Sequence, residues 1–392
     1  MHLLNPSLTN PRSNDADLAA WLLLAHCAAL KNAQLLKLLQ LFGSPLRILE
    51  ALRDLPTKAP SQPLGLSATS LEAVLNPNVR LLAWVDAAMH WQSLSGNAIV
   101  TLDDPNYPQT LLDVGSPPPL LYATGRVELL KLDAIGIIGS RQCTAAGIGN
   151  AAAFANTLGR AGLCIVSGMA AGIDAAAHQG ALDAQSATIG VLGTGIDINY
   201  PKANARLFLQ MREQGCLISE HPLNTPPLRE HFPRRNRLIA GLGLGVLVVE
   251  AAKQSGSLIT AKQAINANRD VFAIPGSIHS PVSKGCHQLI REGAKLVESA
   301  DDILEEIRFT PVHLCASSNT PDNTQTLVCA ASATARDTDS LWYQWLGFDP
   351  ISPDDLSARS GIQLDEWLVV LGDLEANGGI VRHLDGRVMR CN

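Results

Sequence analysis

The 392-residue sequence is poor in aromatic residues, which make up 4% of it, and in charged residues, which make up 17%. Because 46% of its residues are hydrophobic, this composition excludes wholesale disorder and a coiled coil. The longest apolar runs begin at Trp21 and Gly241. Both are far shorter than the roughly 20 residues that a membrane-spanning helix needs. We therefore expect a globular chain without a membrane span.

Paired cysteines and a leader segment are also lacking. The eight cysteines are scattered, and no two have the CxxC spacing of a zinc or redox site. The first ten residues lack a basic region followed by an apolar run and a cleavage site, so they do not predict a signal peptide. These features predict a cytoplasmic protein with free thiols and no metal.

The length and the changes of pattern along the chain predict several domains. Helical periodicity from Asp17 to about Trp91 predicts a small helical domain over residues 1–95. Residues 311–337 are rich in Ser, Thr, Ala and Asn without periodicity, which predicts a linker. Residues 338–392 have the order helix, tight turn, helix and Gly-Gly hairpin, which predicts a winged helix.

Residues 96–310 alternate short apolar runs with alanine-rich helical segments. Each of five runs ends in a glycine or a polar residue: 134–139, 163–168, 187–193, 244–250 and 270–276. Continuous apolar strands separated by helices predict a parallel sheet that is covered on both faces. Since such sheets bind ligands at the carboxyl ends of their strands, we expect the functional site in the loops that follow these runs.

The first two of these loops contain charged candidates. In GSRQCTAAG, Arg141 occupies the place of the second glycine of a dinucleotide-binding loop, and a guanidinium beside helix N–H groups suits a phosphate. An ordinary surface arginine is the alternative. In SGMAAGIDAAAH, Asp174 and His178 lie one helical turn apart. Helix capping and structural hydrogen bonding explain this pair better than acid–base catalysis, because no nucleophile accompanies it.

Two later loops suit nucleic acid or a small phosphate ligand. Tyr200 could stack on a base while Lys202 meets a phosphate, although a packed tyrosine and a solvated lysine fit that stretch equally well. Ser255, Gly256 and Ser257 form a small-residue turn at a helix start. Their loop lacks the GxxxxGKS order of a nucleotide-triphosphate loop, which argues against ATP hydrolysis.

The distribution of charge separates two regions of a chain whose net charge is −6. From Pro201 to Arg237 there are seven Lys or Arg residues and three acids, a net charge of +4, whereas from Thr338 to the end the net charge is −5. The RRNR cluster at 234–237, taken alone, is typical of a solvated helix start. Beside the other loops, it predicts an anion-binding groove. The acidic second helix of the winged helix would be repelled by duplex phosphates, which favours contact with protein.

Six motifs occur in a fixed order: GSR at 139–141, SGMAAGIDAAAH at 167–178, NYPKAN at 199–204, FPRRNRLIAGL at 232–242, EAAKQSGSLITA at 250–261 and KGCHQLIREGAKLV at 284–297. Together, over about 200 residues, they resemble the DNA-processing protein A family (DprA or Smf). The resemblance implies a multidomain α/β protein with an extended Rossmann-like fold and a parallel-rich sheet, an N-terminal SAM-like helical domain and a C-terminal winged helix.

The same resemblance implies single-stranded DNA binding without sequence preference, protection of incoming DNA, and help in loading RecA during natural transformation. It implies no catalytic activity and no cofactor. The DNA-binding residues carried over to this chain are Ser140, Arg141, Ser167, Gly168, Lys202, Arg234, Arg235, Asn236 and Arg237, and we add Ser257. The family forms homodimers through its Rossmann-like domain, and the candidates for that face are His287, Ile290 and Leu296.

Two other classes of protein remain possible from the sequence. Rossmann-like nucleotide phosphoribohydrolases place a glutamate near the same strand end, and Glu250 before SGS could imitate it, although their PGGxGT loop is lacking. A scaffold for partner proteins would leave the basic groove without a ligand.

Overall fold

The computed structural model describes residues 15–54, 65–311, 346, 350–360, 362–383 and 385–390. The predicted linker at 311–337 lies almost entirely outside these residues. None of the helices in these ranges is long and apolar enough to cross a membrane.

The described residues of the N-terminal region form five α-helices. They are α1 (Asp15–His26), α2 (Asn32–Phe42), α3 (Pro45–Arg53), α4 (Ala68–Leu75) and α5 (Val79–Ser93). Capping residues fix three of the starts: Ser44, Ser67 and Asn78 each accept a hydrogen bond from a main-chain N–H in the first turn of α3, α4 and α5. The helical region predicted from periodicity is therefore present.

A nine-stranded sheet forms the centre of the next region. Its strands are β1 (Asn97–Thr101), β2 (Leu120–Gly125), β3 (Ala134–Ile138), β4 (Cys164–Ser167), β5 (Thr188–Val191), β6 (Cys216–Ser219), β7 (Gly245–Val248), β8 (Asp270–Ala273) and β9 (Lys295–Leu296). The order across the sheet is β1-β2-β6-β5-β4-β3-β7-β8-β9. Strands β3 to β9 are all parallel to one another, and β2 is antiparallel to β1 and β6. The five predicted runs form β3, β4, β5, β7 and β8, which confirms the predicted parallel-rich sheet.

Helices cover both faces of this sheet. They are α6 (Ala145–Arg160), α7 (Ile173–Asp183), α8 (Ala205–Gln214), α9 (His231–Leu242), α10 (Gly256–Asn266), α11 (Lys284–Arg291) and α12 (Asp301–Leu304), with 3-10 helices at Gln109–Asp113, Val127–Lys131, Lys202–Asn204 and Pro281–Ser283. Side chains alternate between the faces: Ile135 and Ile137 join the core beneath α6 and α7, and Ile138 joins the core beneath α9 and α10.

The N-terminal helices pack on one end of the sheet. Leu22 of α1 and Ala88 of α5 share a hydrophobic core with Tyr122 of β2 and Leu217 of β6. The ring nitrogen Nε2 of His26 is 2.8 Å from the Tyr122 hydroxyl. The helical region therefore contributes side chains to the β2–β6 end of the sheet.

The C-terminal region is the winged helix that the sequence predicted. Its elements are α13 (Pro353–Ser360), α14 (Leu364–Ala376), β10 (Ile380–Arg382) and β11 (Val388–Arg390). Trp367 is buried in its core and donates its indole N–H to the Ser360 hydroxyl at 2.7 Å. The hairpin differs from the expectation: the Gly-Gly pair ends α14, and the turn between β10 and β11 contains Gly386 at φ 83°. The four acids of α14 are exposed.

Candidate functional site

Loops after three neighbouring parallel strands converge at one edge of the sheet. They follow β3, β4 and β5, and the amino end of α9 lies against them. A cavity of about 190 Å³ lies between them. We call it the strand-end groove, and its lining residues are Arg141, Gly168, Met169, Ala170, Ala171, Leu192, Gly193, Thr194, Tyr200, Pro201, Phe232 and Arg235. The site therefore lies where the parallel sheet predicted it.

Arg141 and two aromatic rings form the mouth of the strand-end groove. The side chain of Arg141 is exposed, and its guanidinium carbon is 5.3 Å from the centre of the Phe232 ring. The Phe232 ring is in turn 5.6 Å from that of Tyr200, which is 37% exposed. The two rings are tilted by 40° to each other. A cation beside exposed aromatic rings can meet a phosphate and the face of an unpaired base together.

Arg235 forms the floor of the groove. Its side chain is 3% exposed, and Nη1 donates to the carbonyl oxygens of Gly168 and Val191. Burial lowers the pKa of Arg235 to about 10, with Asp174 raising it and Arg141 lowering it, so the guanidinium stays charged at neutral pH. A Cβ at Gly168 would come within 2.5 Å of this guanidinium, which explains the glycine.

The other two arginines of the RRNR cluster lie on a different face of α9. Arg237 forms an ion pair with Glu220, and both side chains are largely buried. Arg234 is exposed and has no ion-pair partner among the described residues. Asn236 accepts a hydrogen bond from Nε of Arg235 at 3.2 Å. Of the cluster expected to form one wall of the groove, only Arg235 lines it, because α9 turns its neighbours away.

Several predicted contact residues differ in their accessibility. Ser167 is fully buried and donates its hydroxyl to the carbonyl of Ile137 at 2.6 Å, so it cannot reach a ligand. Ser257 is also buried, at the start of α10. Ser140 turns its hydroxyl to the main chain of Gln142 within its own loop. Ser167 and Ser257 are therefore not accessible to a ligand in this structure, although both were predicted to contact DNA. Lys202 is exposed directly after Pro201 at the rim.

Asp174 and His178 have structural roles, as their sequence pattern favoured, but Asp174 is not a helix cap. It is the second residue of α7, and its carboxylate accepts hydrogen bonds from the N–H groups of Gly168 and Ala170 at 3.2 and 3.4 Å. Burial raises its pKa and Arg235 lowers it. Nδ1 of His178 is 2.7 Å from the hydroxyl of Thr188.

Glu250 fills the crevice between β3 and β7, where the strand order reverses. Its carboxylate accepts hydrogen bonds from the N–H and the hydroxyl of Thr144, the residue that caps α6, at 2.9 and 2.5 Å. A Cβ at Gly147 would come within 2.5 Å of this carboxylate, so the helix start is closed around it. Glu250 thus occupies the start of α6, the position beside Arg141 where the sequence suggested helix N–H groups for a phosphate.

Phe232 and Glu220 are the important residues that pattern reasoning missed. An aromatic residue directly before PRRNR was an available signal for Phe232, since aromatic and basic residues are interleaved in single-strand binding sites. Nothing in the sequence pairs Glu220 with Arg237, because their contact depends on how α9 packs.

The three dimerisation candidates have different environments. Nε2 of His287 is 3.0 Å from the carbonyl oxygen of Gly276, and Ile290 packs against the main core of the sheet. Leu296 is 44% exposed on β9, the edge strand. Of the three, only Leu296 therefore exposes a large part of an apolar side chain.

These features define a class of protein. The sheet is doubly wound and Rossmann-like, its switch-point crevice is closed by the carboxylate of Glu250, and its open site is a cationic groove edged by aromatic rings. A winged helix follows.

Comparison with known proteins identifies the family within this class. A model described as DNA recombination-mediator protein A matches residues 98–308, and one described as the DprA winged helix domain matches residues 327–386. The chain belongs to the DNA recombination-mediator protein A family, which confirms the resemblance inferred from the six motifs.

Individual relatives agree with this assignment. DNA processing protein DprA of Streptococcus pneumoniae (strain ATCC BAA-255 / R6) is 48% identical over 208 residues, which cover 53% of this chain and 73% of the relative. Protein Smf of Escherichia coli (strain K12) is 42% identical over 226 residues, 57% of this chain and 60% of the relative. The X-ray structure of DprA from Streptococcus pneumoniae matches with a TM-score of 0.60 at 35% identity, covering 76% of this chain and all of that one.

Proposed function

We propose that the protein binds single-stranded DNA in the strand-end groove, without sequence preference, and acts in DNA processing during recombination. The observation that carries this proposal is the position of Arg141 over Phe232, beside Tyr200 and above the buried charge of Arg235. Cations meet phosphates and rings meet base faces, and neither contact reads the edge of a base. Ring stacking also requires an unpaired base, which favours a single strand over a duplex.

Protection of incoming DNA and loading of RecA in natural transformation belong to this proposal through family membership. The name of the pneumococcal relative, DNA processing protein DprA, supports a role in DNA processing. A cytoplasmic homodimer is part of the same proposal. The exposed Leu296 on the edge strand β9 supports it, because an unpaired strand edge beside an apolar side chain can meet a second copy.

A catalytic role for Glu250 is the second candidate, and we propose instead that the protein is not an enzyme. Both carboxylate oxygens of Glu250 already accept hydrogen bonds from Thr144, and the side chain is buried. A negative charge at the start of α6 also opposes binding of a nucleotide phosphate there. Incubation with nucleoside monophosphates tests this view, and release of free base that Glu250→Gln abolishes would overturn it.

Fluorescence anisotropy with a labelled oligo-dT strand tests DNA binding directly. We expect binding that weakens with salt, with a log–log slope of about −0.7 per phosphate neutralised. Arg141→Ala should weaken binding and make that slope shallower by about 0.7. The matched control is Arg160→Ala, which removes an exposed arginine from the far end of α6. Equal affinity of the Arg141→Ala and Arg160→Ala variants would contradict the proposed groove.

A further inference from the structure

A second and larger cavity lies at the same edge of the sheet. Its volume is about 450 Å³, and it is enclosed by α1 and α2 on one side and by the start of β2 and the end of β6 on the other. Glu220 and His221, which line it, directly follow β6. Because β6 is parallel to β5, this junction cavity lies on the carboxyl edge that also carries the strand-end groove.

Helix α9 stands between the two cavities. Arg235 lines the strand-end groove, whereas Arg234 and Arg237 line the junction cavity. Successive helical residues point about 100° apart and residues three apart share a face, which accounts for this division. A ligand that extends from one cavity to the other would cross the amino-terminal half of α9.

One side of the junction cavity is apolar. Leu24 of α1, Leu30, Leu35 of α2 and Leu120 of β2 line it, and each is buried. The volume is within the range of roughly 300–1,000 Å³ that is typical of small-molecule sites. The cavity can therefore accept a flat, weakly polar ring.

The other side carries one positive charge in excess. Arg237 is paired with Glu220, and Arg234 has no ion-pair partner in the part of the chain that the structure describes. Burial lowers the pKa values of His26 and His221 to about 4, so both rings are neutral at physiological pH. The cavity thus suits a ligand with a single anionic group near Arg234.

Three polar atoms of the lining residues are buried without a hydrogen-bond partner among the described residues. They are Oδ1 of Asn32, Nε2 of His221 and Nη1 of Arg237. Unpaired buried polar groups are costly and are few in native proteins, so three around one cavity point to a ligand.

We propose that the junction cavity binds one nucleotide, with its base against the leucines and its phosphate at Arg234. This inference rests on the proposed function, because the favoured source is a nucleotide of the strand whose neighbours occupy the strand-end groove. A free nucleotide has the same chemistry and is the other source. On the proposed route, the N-terminal helices take part in DNA binding directly, since α1 and α2 form half of the cavity.

Filling the cavity tests this inference. Ala25→Phe places a ring in the cavity from α1, and Ala28→Phe makes the same change at an exposed position outside its lining. Affinity is measured by anisotropy for oligo-dT strands of about 4 and about 16 nucleotides. We expect Ala25→Phe to lower the affinity for the longer strand about tenfold, and Ala28→Phe to leave it at the wild-type value. Arg234→Gln leaves the core unchanged and should lower the affinity for the longer strand by a similar factor.

The outcomes separate this inference from the proposed function. If the wild type binds DNA and the Ala25→Phe variant binds the longer strand with the same affinity, the cavity is not a DNA subsite. Where Ala25→Phe fails to fold, unchanged affinity of the Arg234→Gln variant leads to the same conclusion. If the wild type binds no DNA, the proposed function fails. Calorimetry with thymidine monophosphate then tests whether the cavity binds a free nucleotide. Binding of that nucleotide, lost in either variant, supports a free-nucleotide site, whereas no binding overturns the inference.

Discussion

The carboxylate of Glu250 is held by Thr144, a residue 106 positions earlier in the chain, through the main-chain N–H at 2.9 Å and the hydroxyl at 2.5 Å. This contact joins the end of β7 to the start of α6 across the point where the strand order reverses. Rossmann-like proteins use that crevice for phosphate. Here an acidic side chain occupies it, and the open groove lies beside it over β3, β4 and β5.

Removing this carboxylate should lower stability and leave DNA binding intact. Glu250→Ala leaves the N–H of Thr144 without its acceptor, so we expect a loss of about 1–3 kcal/mol in the free energy of unfolding, measured in urea. Glu250→Gln keeps an acceptor oxygen and should lose less. Oligo-dT affinity should be unchanged in both variants once folding is complete. A large loss of DNA affinity with full stability would show that Glu250 acts in binding.

Lys202 and Ser167 should behave differently although both were predicted to contact DNA. Lys202 is exposed at the rim of the groove, so Lys202→Ala should weaken every oligonucleotide sequence by a similar factor and leave thermal stability unchanged. Ser167 is buried and donates its hydroxyl to the carbonyl oxygen of Ile137. Ser167→Ala should therefore lose about 1 kcal/mol of stability and keep its affinity for DNA. Anisotropy and urea unfolding of both variants distinguish the two roles. Reduced affinity in a stable Ser167→Ala variant would contradict its structural role.

Stability should fall in mild acid because of buried histidines. Burial lowers the folded-state pKa of His178 from the usual 6.5 to about 3, so between these values the unfolded chain binds the proton and the folded chain does not. Stability is then fully present above pH 6.5 and decreases as the pH falls. For His178 the loss is about 2 kcal/mol at pH 5. Urea unfolding between pH 7.5 and 5 measures it, and His178→Asn should show a flatter profile. An unchanged profile in that variant would assign the acid sensitivity to other groups.

Self-association should depend on the edge strand. Leu296→Arg places a charge on the exposed apolar position of β9, so we expect the dimer to dissociate at a higher protein concentration than the wild-type dimer does, or not to form. Leu209→Arg is the matched control, because Leu209 is similarly exposed on α8. Analytical ultracentrifugation compares the variants. Dimers of equal strength in both would place the contact elsewhere.

Much of the fold could be predicted because its strands carry a strong signal. The runs that form β3 and β7 are apolar at nearly every position, since both faces of the sheet are covered, and glycines or polar residues mark their ends. Strand β9 has only two residues and gave no such signal. Leu238 and Ile239, the apolar pair that follows the arginine cluster, are buried in the core beneath α9.

The site was less predictable because the direction of each side chain depends on packing. Arg234 and Arg235 are neighbours in the sequence, yet one is exposed and the other lies under Gly168. Local composition cannot distinguish them. In the sequence Glu250 resembles a catalytic residue, but in the structure its carboxylate is bound by Thr144, and that pairing depends on the strand order. The junction cavity could not be predicted from the sequence either, because its lining joins segments as far apart as Leu24 and Arg237.

The buried guanidinium beneath the groove differs from an exposed arginine in how it responds to salt. Arg235 is fixed by two main-chain carbonyls, so it cannot swing toward solvent, and mobile ions cannot surround it. Salt screens such a charge much less than it screens Arg141 or Lys202 at the surface. If phosphate binds in the groove as proposed, the attraction that Arg235 supplies should persist in concentrated salt, after the attraction of the exposed cations Arg141 and Lys202 has been largely screened.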